Sequence, residues 1–361
     1  MRERGFSIIE LMIAITLGML AVAAVGSVFI YGSRNYKQDD KVSRMQDELR
    51  FAMAQITQDL EMVGFYAQVR DLVNDINLDG TATVTADCGP TTDGAASGTN
   101  NNWVFQERRV SIFTYGDATA AQANATFPCI ATDEFLAGTD VLAIKRLGRS
   151  VRQDQTLAGR AYVRTNGVET TLYVGQGSPS PAGTVCDPGD PADNDSCTVT
   201  LYEMHPVVWY IRPYSVSATE SPQIPALCRM VFRGGRMVGD EGGCIASGIA
   251  DLQLEFGFDV ADSSGSFDGL ADNFQEIGAP LTVPTPASGD SHPMSLVVAV
   301  RIHLLAQSTQ RDVDYTNVKT YQLAGTTRGP FNDGYYRKTL SSTVLLRNAM
   351  NRLSPYSLPS Y

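Results

Sequence analysis

The sequence predicts an α+β protein, with one long N-terminal helix packed on a large, mostly antiparallel β head. Three observations predict it. Residues 11–33 form a run of 23 without a charged side chain, and about 20 apolar residues suffice to cross a bilayer as a helix. Apolar residues then recur at Val42, Met45, Leu49, Ala52, Ile56, Leu60 and Val63, in steps of three and four that place them on one helix face. Beyond Cys129 the pattern changes to short runs of β-branched and aromatic residues parted by Gly, Pro and Asp, which is strand chemistry. A helix followed by a run of strands is the α+β order.

The helix begins oddly. Arg2 and Arg4 precede the apolar run and favour a cytoplasmic start with the remainder exported. Glu10 interrupts an apolar stretch that begins at Phe6 and continues into that run. An acid there costs on the order of 2.5–3.5 kcal/mol on insertion scales, so a partner is expected. If the chain is cut after Gly5, Phe6 carries a free amine one helical turn from Glu10. A helix does not readily fold its own amine back, so a neighbouring helix is the natural source. At about 4 Å the pair would gain roughly 4 kcal/mol at an effective dielectric of ~20. Two plainer readings compete. Ala21-Val22-Ala23 is an A-x-A-like signal-peptidase site, but the internal charge and the length of the run oppose it. The run could also be a simple anchor with Glu10 snorkelling to the headgroups.

Gly5-Phe6-Ser7-Ile8-Ile9-Glu10-Leu11 resembles the processing site of type IV pilins and pseudopilins. The resemblance implies cleavage after Gly5 by a prepilin peptidase and N-methylation of Phe6. It also implies a fifth-position acid, Glu10, that guides assembly. The chain then divides into a leader at 1–5, a transmembrane assembly helix at 6–33, its amphipathic continuation at 34–65 and a periplasmic head at 66–361.

The continuation has support of its own. No proline occurs before Pro90, and Gly64 is a plausible stop. Run unbroken from Phe6 to Val63, the helix would extend about 87 Å at ~1.5 Å per residue. Many pilins have a proline in the membrane half. This chain does not, so no kink is expected there.

In the head, residues 66–127 carry little signal, and 91–102 read as a loop. Strands are expected over 141–144, 161–163, 171–174, 198–202, 207–211, 252–258, 296–305, 318–323 and 339–346. A hairpin is expected over 228–238, turning at Gly234-Gly235. Residues 175–196 and 259–292 read as long loops. All six cysteines lie beyond the membrane segment, and an even number in an exported chain points to disulfides. Pairing neighbours gives Cys186 with Cys197 and Cys228 with Cys244, leaving Cys88 with Cys129. Free buried thiols are the other reading.

Composition excludes several functions. The chain is 43% hydrophobic, as folded chains are, and its net charge is −11. Loss of residues 1–5 removes two positive charges and one negative and leaves −12. That opposes broad binding to nucleic acid. The basic group Lys145, Arg146, Arg149 and Arg152 lacks interleaved aromatics and reads as a solvated turn. No HExxH, G-x-S-x-G, Walker or G-x-G-x-x-G motif occurs, so no enzyme is expected. His205 and His292 precede prolines at strand entries, and His303 sits in an apolar strand. For a cofactor, calcium is the best candidate, at Asp259, Asp262, Asp268 and Asp272. The spacing lacks the bidentate acid of an EF-hand, since Gln275 stands there. Asp187, Asp190, Asp193 and Asp195 are a weaker cluster.

The large head, the strand Val297-Val298-Ala299-Val300-Arg301-Ile302 and the closing stretch 341–348 resemble type IV pilus minor pilins of the PilW kind. That resemblance implies a structural subunit that helps begin pilus assembly and sits at or near the tip. Its implied partners are other pilins, the prepilin peptidase, the inner-membrane assembly platform and a tip adhesin. It implies a single pass of the inner membrane, then the pilus surface. A pseudopilin of a type II secretion system shares the same start. An anchored periplasmic enzyme or binding protein is the reading from a different class.

Overall fold

The structure is a computed structural model that describes residues 7–67, 76–78, 88, 111–175, 183–186, 197–260, 267–276 and 296–348. Helix α1 (Ile8–Glu61) is continuous over 54 residues. Ser7 caps it: its hydroxyl accepts from Ile9 N–H at 3.3 Å, and the Glu10 carboxylate accepts from Ser7 N–H at 3.1 Å. This reciprocal arrangement satisfies donors that a helix start otherwise leaves open. A second short helix, α2 (Ala120–Thr126), begins with the same device, built from Thr119 and Gln122.

Among the described residues the head has two main sheets. The larger contains β1 (Ile76–Leu78), β2 (Ile112–Ala118), β3 (Thr139–Ser150), β4 (Ala161–Thr165), β5 (Thr170–Val174) and β6 (Thr200–Arg212). It also contains β7 (Ala226–Arg233), β8 (Arg236–Gly239) and β9 (Ala246–Ser247). Its order is β1-β5-β4-β6-β3-β2, with β7 joined to β6 and carrying β8 and β9. Then come β10 (Ile249–Phe258), β11 (Asn273–Glu276), β12 (Val297–Gln307), a hairpin of β13 (Tyr321–Leu323) and β14 (Thr326–Arg328), and β15 (Arg337–Leu345). The second sheet has the order β11-β10-β12-β15. The strand pairing is antiparallel except where β1 meets β5.

Period-two alternation decides which face of each strand is buried. Leu252, Leu254 and Phe256 of β10 and Val300, Ile302 and Leu304 of β12 share a core with Met45, Leu49, Ile56 and Leu60 of α1. Leu142, Ile144, Trp209 and Ile211 of the larger sheet close the same core. The opposite face of that sheet, with Val141, Ala143, Val208 and Tyr210, buries Phe127 and Ile130. The opposite face of the second sheet is polar, and there Glu255, Arg301, His303 and Ser341 are joined by hydrogen bonds.

Cys88 is bonded to Cys129, Cys186 to Cys197 and Cys228 to Cys244, with Cα–Cα distances of 5.1, 4.9 and 4.1 Å. The hairpin turns at Gly234 and Gly235, with φ of 61° and 76°, the left-handed pair that a tight hairpin needs.

Three sequence expectations need correction. The strands read at 198–202 and 207–211 are one strand, β6, so His205 is inside a strand and not at its entry. On one side β6 pairs with β4 through 200–204, then with β7 from 207. Pro206 falls in the gap between them, where a missing N–H breaks no ladder bond on that side. The loop expected over 259–292 contains β11, which pairs with β10. Residues 111–127, read as featureless, hold β2 and α2. The loop expected at 91–102 lies outside the described residues.

Candidate functional site: the two halves of the N-terminal helix

The first half of α1 is bare. Ile8 is 77% exposed, Leu17 61% and Phe29 76%. Apolar on every side and unpacked against its own head, this half suits lipid or other helices as surroundings. By length and composition it is able to cross a membrane.

Glu10 sits at the tip of this half. Its carboxylate is already engaged with Ser7 N–H. That donor is a neutral backbone group and not the positive partner expected from a neighbouring helix. A carboxylate has about four lone-pair sites on two oxygens, so the second oxygen stays open to an outside amine. Gly5 and Phe6, the expected processing residues, lie outside the described residues.

The second half is fastened at both ends. Near its start, Lys41 Nζ donates to the Arg311 carbonyl at 3.2 Å and stands 3.5 Å from Asp312 Oδ2. Arg34 stands 3.6 Å from Asp314. The Tyr336 hydroxyl donates to Asp312 at 2.9 Å. That bond, with Lys41 behind it, holds the Asp312 carboxyl below its usual range despite some desolvation. Near the helix end, buried Asp59 accepts from Arg146 Nη2 at 2.9 Å and from Trp209 Nε1 at 3.2 Å. Beyond it, Asn348 Nδ2 donates to the Val63 carbonyl. These anchors were missed in the sequence. For Asp59 a signal existed: it is three residues past Ile56 and next to Leu60, an acid on the apolar face.

The basic group read as a solvated turn lies instead in strand β3 and just beyond it, and its side chains do not form one surface. Lys145 is fully buried, Arg146 is bound to Asp59, and Arg152 pairs with Asp154 at 3.2 Å. His205 is pushed down to about 4 by burial, then by Arg146, Arg160 and Arg229. Within the expected calcium group, Asp262 lies outside the described residues. Asp259 accepts from Gly269 N–H, Asp268 from Leu270 N–H and Asp272 from Val260 N–H. These are bonds that shape a loop. Among the described residues no three acids, histidines or cysteines are placed to hold a metal. Asp187, Asp190, Asp193 and Asp195 lie outside the described residues.

Comparison with known families adds two matches. Residues 1–26 match the prokaryotic N-terminal methylation motif, a stretch that takes in Gly5, Phe6 and Glu10. Residues 210–348 match the family of type IV pilus-assembly protein W. The two matches together support a type IV pilin-like subunit. The second match takes in the end of β6, strands β7 to β9, the second sheet, the β13–β14 hairpin and the loop that holds Lys41, and so includes much of the surface that packs against α1. A type IV-like pilin from Thermus thermophilus aligns over 85% of this chain and 98% of its own, at 11% identity and a TM-score of 0.32. No curated protein matches the chain. The matches, the bare N-terminal helix and the α+β plan with three disulfides fit a membrane-anchored pilin subunit.

Proposed function

We propose that this pilin is a low-abundance subunit that helps begin type IV pilus assembly and sits at or near the tip. The observation that carries the reading is the division of α1 itself. A head folded tightly on one half of the helix leaves the other half bare for lipid first and for neighbouring pilins afterwards. The match of the helix-packing part of the head to a pilus-assembly family supports the initiating role.

In this reading the prepilin peptidase cuts after Gly5 and Phe6 is methylated. The new amine of one subunit then pairs with the open oxygen of Glu10 on another. Extraction from the inner membrane exchanges lipid contacts for helix contacts, and the charge pair sets the register. The head, first periplasmic, ends on the pilus surface beside other pilins and any adhesin held at the tip. Calcium is no part of this mechanism, and neither is catalysis.

Glu10→Ala should leave membrane insertion intact and abolish incorporation into surface fibres, read by immunogold labelling of sheared pili. Wild-type incorporation of that variant would remove the charge-pair mechanism. Deletion of the whole subunit should remove surface pili and twitching. Loss of protein secretion with pili intact would instead assign the chain to a type II secretion system.

A further inference from the structure

The loop that grips the start of the packed half is fixed in height as well as in position. Its main chain is tied down by Ser308 N–H to the Tyr336 carbonyl at 2.8 Å and Asp312 N–H to the Gly334 carbonyl at 2.7 Å. Its side chains reach the helix at Arg34 and Lys41. The height of the loop above a membrane can therefore be read along α1. The twenty steps from Leu11 to Tyr31 span about 30 Å, the thickness of the hydrocarbon core. Tyr31 and Tyr36, 66% and 75% exposed, mark the expected aromatic boundary. The headgroup layer adds roughly 5–7 Å on each side. Arg34 lies three residues past Tyr31, about 4.5 Å along the axis, and so falls within that layer. Tilt of the helix would lower it further.

Asp314 stands 3.6 Å from Arg34, whereas Asp312 meets Lys41, about 15 Å past Tyr31 along the axis, so the loop descends from above the layer and its 313–314 tip reaches the level of Arg34. Between Asp312 and Asp314 stands Val313, 87% exposed. Both acids face cations of the helix, which removes the charge that would otherwise oppose burial beside lipid. We propose that the tip of the 308–317 loop, at Val313 and Asp314, dips into the headgroup layer of the bilayer that α1 spans, with Val313 as its apolar wedge. The partner is a lipid surface, and the effect is to hold the head at one height and tilt before extraction. The inference rests on the reading that residues 11–31 cross the bilayer.

The test uses the full chain with its disulfides intact, reconstituted in phosphatidylcholine vesicles and labelled with a nitroxide at one introduced cysteine. L20C reports the span. V168C reports water: Val168 is 83% exposed in the β4–β5 turn, on the side of the sheet where β6 begins, about 30 Å along that strand from Trp209. V313C reports the loop. The ratio of oxygen to nickel-chelate collisions should rise in the order V168C, V313C, L20C. A lipid-like L20C with V313C equal to V168C would overturn this inference and leave the anchor standing. A water-like L20C would overturn the anchor and the inference together.

Discussion

Residues 8–33 and residues 41–61 of α1 share one backbone and two environments. In the first segment Ile15 is 50% exposed and Phe29 76%; in the second Leu49 is 2% exposed and Ile56 and Leu60 are fully buried. The difference follows from pattern. An apolar surface on all sides offers a folded head no preferred face, while a single stripe offers one. The striped segment therefore carries the stability of the head, and the uniform segment is left bare for the proposed assembly. Substitutions in the two halves should separate these roles.

The largest effect is expected at the centre of the stripe. Ile56→Ala should destabilise the head by about 2–5 kcal/mol, the cost of a core cavity, measured by urea unfolding in detergent. Leu17→Ala, in the bare half, should leave the same midpoint unchanged. An equal loss from both would mean that the head does not end where the stripe does. Next is the polar anchor inside the stripe. Asp59→Ala strips Arg146 and Trp209 Nε1 of their acceptor, and a broken buried pair costs about 3 kcal/mol. Asp59→Asn keeps an acceptor for Trp209 and should lose roughly half as much. If the two variants unfold alike, the indole bond contributes nothing.

The division of the helix was legible because its two codes, an unbroken apolar run and a three-four repeat, are local. The residues proposed for processing and assembly are equally local, since Gly5, Phe6 and Glu10 lie in one heptad. The strands at Val141 to Ile144 and Val297 to Leu305 could be read for the same reason: their burial is dense enough to declare itself. What could not be read depends on partners far along the chain. Asp59 meets Arg146 and Trp209 across 87 and 150 positions, and Lys41 meets Asp312 across 271. β11 has only four residues, and Glu276 at its end accepts from Gly325 N–H of the β13–β14 hairpin. The α2 cap, by contrast, was present as Thr119-Ala120-Ala121-Gln122 and was passed over, because the seven-residue helix behind it has little apolar period.

The smallest effect is expected where the two halves meet. Asp312→Asn removes the charge opposite Lys41 while keeping an acceptor for Tyr336. A partly exposed pair of this kind contributes about 0.5 kcal/mol. Its sign with pH is fixed. The Asp312 carboxyl is held below its ordinary value of 3.8 by the Tyr336 bond and Lys41, so folding favours the charged form. The stabilisation is complete above the unfolded value and is lost as pH falls through the lower folded one. Wild type and Asp312→Asn should therefore differ slightly at pH 7 and converge below the ordinary carboxylate range, in unfolding midpoints taken across that window. A gap that persists in acid would mean that Asp312 acts through the shape of the loop. The grip on the helix would then be mechanical, with no electrostatic part.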